Sequence, residues 1–131
     1  MNAVFKLIAL RPLKGCKDYI LKCLSEDTTY YFSNDYEISN DGETVSFVNS
    51  NLKPLANDFF GPPKVTSSGP LINISAIVGK NGYGKSSIIE LAMRLINNCA
   101  LEYKFNASRH TLLKVSGVRA ALYYRLNNDI Y

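Results

Sequence analysis

The chain has 131 residues, a length that predicts one domain, and 47% of them are hydrophobic, enough to build a core. No apolar run approaches the length of a membrane-spanning helix, so we expect no membrane partner. A net charge of +4 is compatible with nucleotide or nucleic-acid binding, but it is more typical of a solvated surface. The three cysteines have no metal-ligand spacing, and the N-terminus has no basic leader; together these features predict a cytoplasmic protein.

The first 48 residues predict an antiparallel β meander. Strand-like runs occupy residues 4–10, 19–24 and 28–32, with a turn signal at Lys14-Gly15 between the first two. A polar, turn-rich segment covers residues 34–43 and contains the strong turn signal Asn40-Asp41-Gly42. Residues 44–48 are consistent with one more short strand.

The rest of the chain predicts three further segments. Residues 49–70 carry four prolines and read as an irregular linker or insertion. Residues 71–99 predict a strand, a glycine-rich loop and a helix. Residues 100–131 form a β-rich segment, in which residues 111–116 and 118–126 fit either a hairpin around Gly117 or one bent strand. Residues 127–131 add a further turn.

A phosphate-binding motif stands between the strand and the helix. The stretch Gly79-Lys-Asn-Gly-Tyr-Gly-Lys-Ser86 fits the pattern G-x-x-x-x-G-K-[ST] completely. Its glycines permit the positive φ angles of a tight curl, and the curled amides make a nest for an anion. Lys85 can reach the β- and γ-phosphates of a nucleotide, and the Ser86 hydroxyl can ligate Mg²⁺.

The sequence on both sides of the motif fits a nucleotide site. Residues 71–78 are apolar and rich in β-branched side chains, which is typical of a buried strand. Apolar residues then recur at helical spacing from Lys85 until the pattern is lost near Asn97-Asn98. The N-terminus of this helix would add partial positive charge beside a phosphate.

We therefore predict one nucleotide-binding site, and Ser86 is also its predicted Mg²⁺ ligand. Main-chain amides from residues 81–85 supply donors, and Ser87 could donate to the α-phosphate. The ring of Tyr83 could stack on a base or lie over the loop; the second interpretation is favoured because aromatic residues near loops more often pack. The predicted site residues are Gly79, Lys80, Asn81, Gly82, Tyr83, Gly84, Lys85, Ser86 and Ser87.

The loop resembles the form G-x-N-G-x-G-K-S of ABC-type and SMC-like ATPases, including the AAA-labelled ATPases of bacterial restriction and anti-phage systems. Residues 11–21 are similar to the opening strand-turn-strand of those proteins, which would place Lys14 beside the nucleotide. The resemblance implies an α/β fold, namely the N-terminal fragment of a P-loop NTPase head with an antiparallel β meander and one β-P-loop-α unit. It also implies ATP and Mg²⁺ as cofactors.

The same resemblance implies partners. ATP would clamp two heads together, the second being the remainder of the ATPase or another copy of the chain. Relatives of this kind couple closure to DNA or to an effector nuclease.

Several parts of the family's catalytic site are missing from this sequence. The chain has no glutamine, no Leu-Ser-Gly-Gly-like segment and no apolar strand that ends in Asp-Glu, and its only histidine, His110, stands in the wrong order. Phosphoryl transfer needs charge stabilisation and a positioned nucleophile, and the loop supplies only the phosphate cradle and one metal ligand. We expect an N-terminal fragment or a truncated product that binds ATP without being hydrolytically complete, and we identify no catalytic residue.

Two other classes of function stay open. A small GTPase or nucleotide kinase is disfavoured because the D-x-x-G spelling at Asp58-Phe-Phe-Gly61 precedes the loop and no N-K-x-D segment exists. A non-enzymatic module could contact DNA through the basic meander between Arg11 and Lys22, or recruit a partner at an open sheet edge.

Overall fold

The computed structural model describes residues 5–48, 76–78, 80–103 and 112–131. The chain divides into two compact units, a first unit of Met1–Ala9, Tyr31–Ala76 and Tyr123–Tyr131 and a second unit of Leu10–Tyr30 and Ile77–Leu122. The described residues form strands β1 Phe5–Pro12, β2 Tyr30–Tyr31, β3 Tyr36–Ile38, β4 Val45–Phe47, β5 Ala120–Leu126 and β6 Asp129–Ile130, and helices α1 Asp18–Leu21 and α2 Lys85–Glu102.

The strands form one four-stranded sheet in the order β2-β1-β5-β6 and one two-stranded sheet of β3 and β4. Both chain-adjacent pairs, β3 with β4 and β5 with β6, are antiparallel. The arrangement is mixed α/β, but β1 lies between β2 and β5, so the first strand does not continue into the simple meander that its sequence predicts.

The strand predicted at residues 19–24 is wrong, because α1 forms there instead. The backbone N–H groups of Ile20 and Leu21 both donate to the Lys17 carbonyl, at 2.8 and 3.0 Å. Cys16, Ile20 and Leu24 are spaced four residues apart and all are buried. This spacing suits one face of a helix and its flanks, and it outweighs the β propensity of the individual residues.

Two other segments near the N-terminus also differ from prediction. The strand predicted over residues 28–32 is reduced to β2, and β3 lies inside the segment predicted as polar turn. In β3, Tyr36 and Ile38 are buried while Glu37 between them is exposed, which is the alternation of a half-buried strand. The turn at Gly42 is confirmed, with a φ of 80°, and β4 lies within the predicted residues 44–48.

The core of the first unit consists of Ile8, Ala9, Tyr36, Ile38 and Tyr123. The Tyr123 hydroxyl donates to the Gly42 carbonyl at 2.9 Å, which ties β5 to the hairpin turn. Beside this core, the Lys6 ammonium donates to Asp35 and lowers the pKa of that carboxyl.

The core of the second unit brings α1 and its flanks against the first turns of α2. Its buried members are Leu10, Cys16, Ile20, Leu21, Leu24, Ile88, Leu91 and Ala92. Burying each large aliphatic side chain contributes about 1.5–3 kcal/mol relative to leaving it exposed.

Helix α2 begins where predicted but runs past Asn97 and Asn98 to Glu102. The Asn98 side chain donates to the Val115 carbonyl at 2.8 Å and accepts from the Val115 amide at 2.9 Å. Asn97 donates to the Leu113 carbonyl at 2.8 Å. The two asparagines therefore hold an extended segment against the helix, and they do not end it.

Neither alternative predicted around Gly117, a hairpin or one bent strand, is formed, because the strand covers only Ala120–Leu126. Residues 112–115 form no strand, and Gly117 lies in a turn with a φ of 79°. Its carbonyl accepts a hydrogen bond from the Lys17 amide at 3.1 Å. The hairpin instead joins β5 to β6 through a turn in which Asn127 has a φ of 57°.

The strand predicted before the loop is not formed at residues 76–78, and Val78 is 87% exposed. A strand needs a neighbour for its backbone hydrogen bonds, and among the described strands β1 is already paired on both sides. The linker 49–70, residues 71–75, Gly79, and the segment 104–111 with His110 lie outside the described residues. Within the described ranges, no helix combines the length and apolar character needed to cross a membrane.

Candidate nucleotide-binding site

The loop enters α2 through two left-handed glycines. Gly82 has a φ of 85° and Gly84 a φ of 89°, values that residues with a Cβ rarely adopt. Gly84 is the N-cap residue of α2, and the first helical hydrogen bond runs from the Ile88 amide to the Gly84 carbonyl at 2.9 Å. The backbone curl that the motif predicts is therefore present at both described glycines of the pattern.

The two glycines differ in what surrounds them. A methyl group built at Gly84 would lie 3.0 Å from Leu24 Cδ2 and 3.6 Å from Cys23 Sγ. At Gly82, no atom of the described residues lies within 4 Å of the corresponding position, apart from Gly82 and its two chain neighbours. Cys23 and Leu24, which follow α1, thus pack against the loop at Gly84, whereas the loop is open at Gly82.

The side chain of Lys85 reaches back across the loop. Its ammonium donates to the Lys80 carbonyl at 2.6 Å, and the Tyr83 amide also donates to that carbonyl, at 3.4 Å. The ammonium group of Lys85 therefore lies at the loop. A phosphate is a stronger partner for an ammonium than a neutral carbonyl, because both partners are then charged.

The two serines after Lys85 have different environments. Ser86 is exposed, and no hydrogen bond to its hydroxyl is formed within the described ranges. Ser87 is buried, with its Oγ 3.5 Å from Cys23 Sγ. The structure therefore leaves the Ser86 hydroxyl accessible to a metal ion, whereas the Ser87 hydroxyl faces Cys23. The first amides of a helix have no acceptor within it, so the main chain at both serines can donate to an anion.

A carboxylate one turn into α2 is neutralised by two cations. Glu90 accepts from Lys22 and from Arg94. The hydrogen bond from Lys22 is the largest cause of the lowered pKa of the Glu90 carboxyl. The helix therefore keeps an electropositive N-terminus despite the acidic side chain one turn away.

The remaining predicted residues lie partly at the loop and partly apart from it. Lys80, Asn81 and Tyr83 are exposed on the loop, and Tyr83 is 75% exposed. Lys14 lies in the turn after β1, with an 85% exposed side chain whose ammonium is 4.0 Å from Asp27. No hydrogen bond or ion pair joins Lys14 to the described residues of the loop.

Sequence reasoning missed the residues that brace the loop, namely Cys23 and Leu24. Their segment was interpreted as a strand, so its contact with Gly84 could not be foreseen. The four-residue spacing of buried side chains around α1 was the available signal. Over the described residues, no group of three or more His, Cys, Asp or Glu side chains could hold a metal ion.

Comparison with known proteins adds no relative. No family model matches the chain, and the comparisons with curated proteins and with solved structures found no match. The resemblance to ABC-type and SMC-like ATPases therefore rests on the loop residues and on the opening segment of the sequence.

Proposed function

We propose that the chain binds ATP with Mg²⁺ through residues 79–87, as the N-terminal portion of an ABC/SMC-like P-loop ATPase. The observation that carries this proposal is the junction of Gly84 with α2. A left-handed glycine there leads directly into an 18-residue helix whose first residues carry an ammonium and an accessible hydroxyl. The complete motif in the sequence supplies the class of ligand.

Three groups would hold the phosphates in this proposal. The amides of residues 81–87 donate to phosphate oxygens, aided by the partial charge of about +0.5 at a helix N-terminus. Lys85 exchanges the Lys80 carbonyl for the β- and γ-phosphates. Ser86 contributes its hydroxyl to Mg²⁺, which neutralises phosphate charge when bound.

The proposal covers ATP binding only, and ATP hydrolysis would require a second component. This sequence has no recognisable water-positioning group, so the remainder of an ATPase or a second copy would have to complete the site. A link to restriction or anti-phage defence, with DNA or an effector nuclease as partner, rests on the sequence resemblance alone. A cytoplasmic location belongs to the same proposal, because all three cysteines are free thiols.

Calorimetric titration of the chain with Mg·ATP tests the proposal. We expect saturable binding that Lys85→Ala abolishes. Lys114→Ala is the matched control, since it removes the same charge from an exposed lysine outside the loop. Equal weakening by both substitutions would indicate unspecific electrostatic attraction and would contradict the proposed site. A preference for GTP over ATP in competition would favour the GTPase class instead.

The metal role of Ser86 has its own test. Ser86→Ala should weaken Mg·ATP binding by roughly 10-fold or more, in line with the loss of a partner to a charged group. Binding of ATP in the presence of a chelator should not change. An equal loss with and without Mg²⁺ would contradict metal ligation by this hydroxyl.

A further inference from the structure

We propose that the ring of Tyr83 stacks on the base of the bound nucleotide. This role rests on the proposed function, because it needs phosphates held by the neighbouring amides. It adds to that function a contact with the base, which the phosphate-binding motif does not itself provide.

Tyr83 is one of the more exposed aromatic residues in the described parts of the chain. It is 75% exposed, it contacts no other ring, and its hydroxyl has no hydrogen-bond partner there. Other tyrosines do make such contacts: Tyr36 packs edge-on against Phe47 at 5.6 Å, and the Tyr19 hydroxyl donates to the Ser116 carbonyl at 2.9 Å. The interpretation that the ring lies packed over the loop is therefore supported by no ring contact and no hydrogen bond among the described residues.

Exposure alone does not distinguish Tyr83, because Tyr103 at the end of α2 is 77% exposed. The position of Tyr83 in the loop does distinguish it from Tyr103. Tyr83 stands between the two left-handed glycines of the loop, so its backbone is fixed by the same curl that presents the amides. The backbone of Tyr83 therefore belongs to the curl at which the proposed function places the phosphates.

The exposure of Tyr83 leaves room for a planar group at its side chain. Gly84 is closed in by Leu24 and Cys23, whereas no atom of the described residues beyond the chain neighbours of Gly82 lies within 4 Å of the methyl position at Gly82. Neither neighbour of Tyr83 has a side chain that would cover the ring. A flat group therefore has room at the exposed surface of Tyr83.

A nucleotide base is the ligand group that fits. The triphosphate, held at the amides, tethers the base near the loop, so stacking becomes an intramolecular step with little further entropic cost. Every base has a π-face, and aromatic stacking on a base is tolerant of its identity. Tyr83 should therefore add affinity for nucleotides over inorganic polyphosphate without choosing between adenine and guanine.

Calorimetric titrations with Mg·ATP and with Mg·tripolyphosphate test this role. The wild-type chain should bind ATP more tightly than tripolyphosphate. Tyr83→Ala should weaken ATP binding by roughly 5- to 100-fold, the range expected for one stacked base, and leave tripolyphosphate binding unchanged. Tyr83→Phe should retain ATP binding. Tyr103→Ala, which removes an equally exposed ring away from the loop, should have no effect.

The other possible outcomes would contradict either the stacking by Tyr83 or the proposed function. Unchanged ATP affinity in Tyr83→Ala, an equal loss for both ligands, or a loss in Tyr83→Phe as large as in Tyr83→Ala would overturn the stacking. Normal ATP affinity with altered ATP-dependent sedimentation would assign the ring to a contact between copies and would also overturn it. If the wild-type chain bound neither ligand, the proposed function itself would fail. Equal affinity for the two ligands would contradict the stacking alone.

Discussion

The two sides of the phosphate-binding motif differ in how firmly the fold holds them. On the helix side, Gly84 packs beneath Leu24, and Leu91 of α2 is completely buried. On the strand side, Val78 is 87% exposed and residues 76–78 form no strand. The helix side is held by contacts that the second unit supplies itself. On the strand side, residues 76–78 take part in no strand pairing.

This difference indicates which part of the proposed site can be preformed in the absence of ligand. The amides at the start of α2 and the curl at Gly82 and Gly84 are set by local packing and by glycine. In the proposed site the donors to an anion come from this part of the chain, so binding of phosphates would not depend on the strand side.

The largest expected effect compares one buried and one exposed aliphatic side chain. Leu91→Ala should lower the free energy of unfolding by about 2–5 kcal/mol, because it opens a cavity in a packed core. Val78→Ala should change it by less than about 0.5 kcal/mol, as expected for a surface substitution. Urea unfolding measures both. A loss at Val78 as large as that at Leu91 would place Val78 in a core and remove the contrast between the two sides.

The two glycines give a second, smaller comparison within the loop. Gly84→Ala should cost about 2–4 kcal/mol, because the new methyl group meets strain at positive φ and a collision with Leu24. Gly82→Ala has open space and should cost only the strain, about 1 kcal/mol. Denaturation midpoints report the difference. In a double-mutant cycle, Gly84→Ala combined with Leu24→Ala should cost less than the sum of the two single losses. Equal effects at both glycines would argue against bracing by Leu24.

The smallest expected effect concerns the ion pair on the helix side. The hydrogen bond from Lys22 lowers the pKa of Glu90 in the folded chain below its ordinary value of 4.5. The ion pair therefore stabilises the fold fully when the pH is above the ordinary pKa of Glu90. This stabilisation is lost as the pH falls through the lower pKa that Glu90 has in the folded chain. Glu90→Gln should be slightly less stable than wild type near neutral pH. The difference should shrink in acid; a difference that grows below pH 4.5 would contradict the pairing.

The sequence predicted the elements whose signals are local. Strand β1 and the start of α2 follow from their apolar patterns, and the turn at Gly42 follows from its Asn-Asp-Gly signal. Strand β3 was missed because its alternation covers only three residues between turn-forming neighbours. Helix α1 was missed because the individual β propensities of Tyr19 and Ile20 outweighed a four-residue period visible only when flanking residues were included.

Features that depend on distant parts of the chain could not be predicted in the same way. The asparagines at 97 and 98 are poor helix formers, and only their hydrogen bonds to residues 113–115 explain why α2 continues through them. At the site, the curl at Gly82 and Gly84 follows from the motif. The contacts of Gly84 with Leu24 and of Ser87 with Cys23 are tertiary, and no local pattern encodes them.

The most direct test is a titration of the ¹⁵N-labelled chain with Mg·tripolyphosphate, followed by amide chemical shifts. Because this ligand has no base, it reports on the phosphate-binding loop alone. We predict saturable shifts that are largest at the amides from Gly82 to Ser87 and absent in Lys85→Ala. Shifts that do not saturate, or that centre on the exposed lysines at 14 and 17, would contradict phosphate binding by the loop.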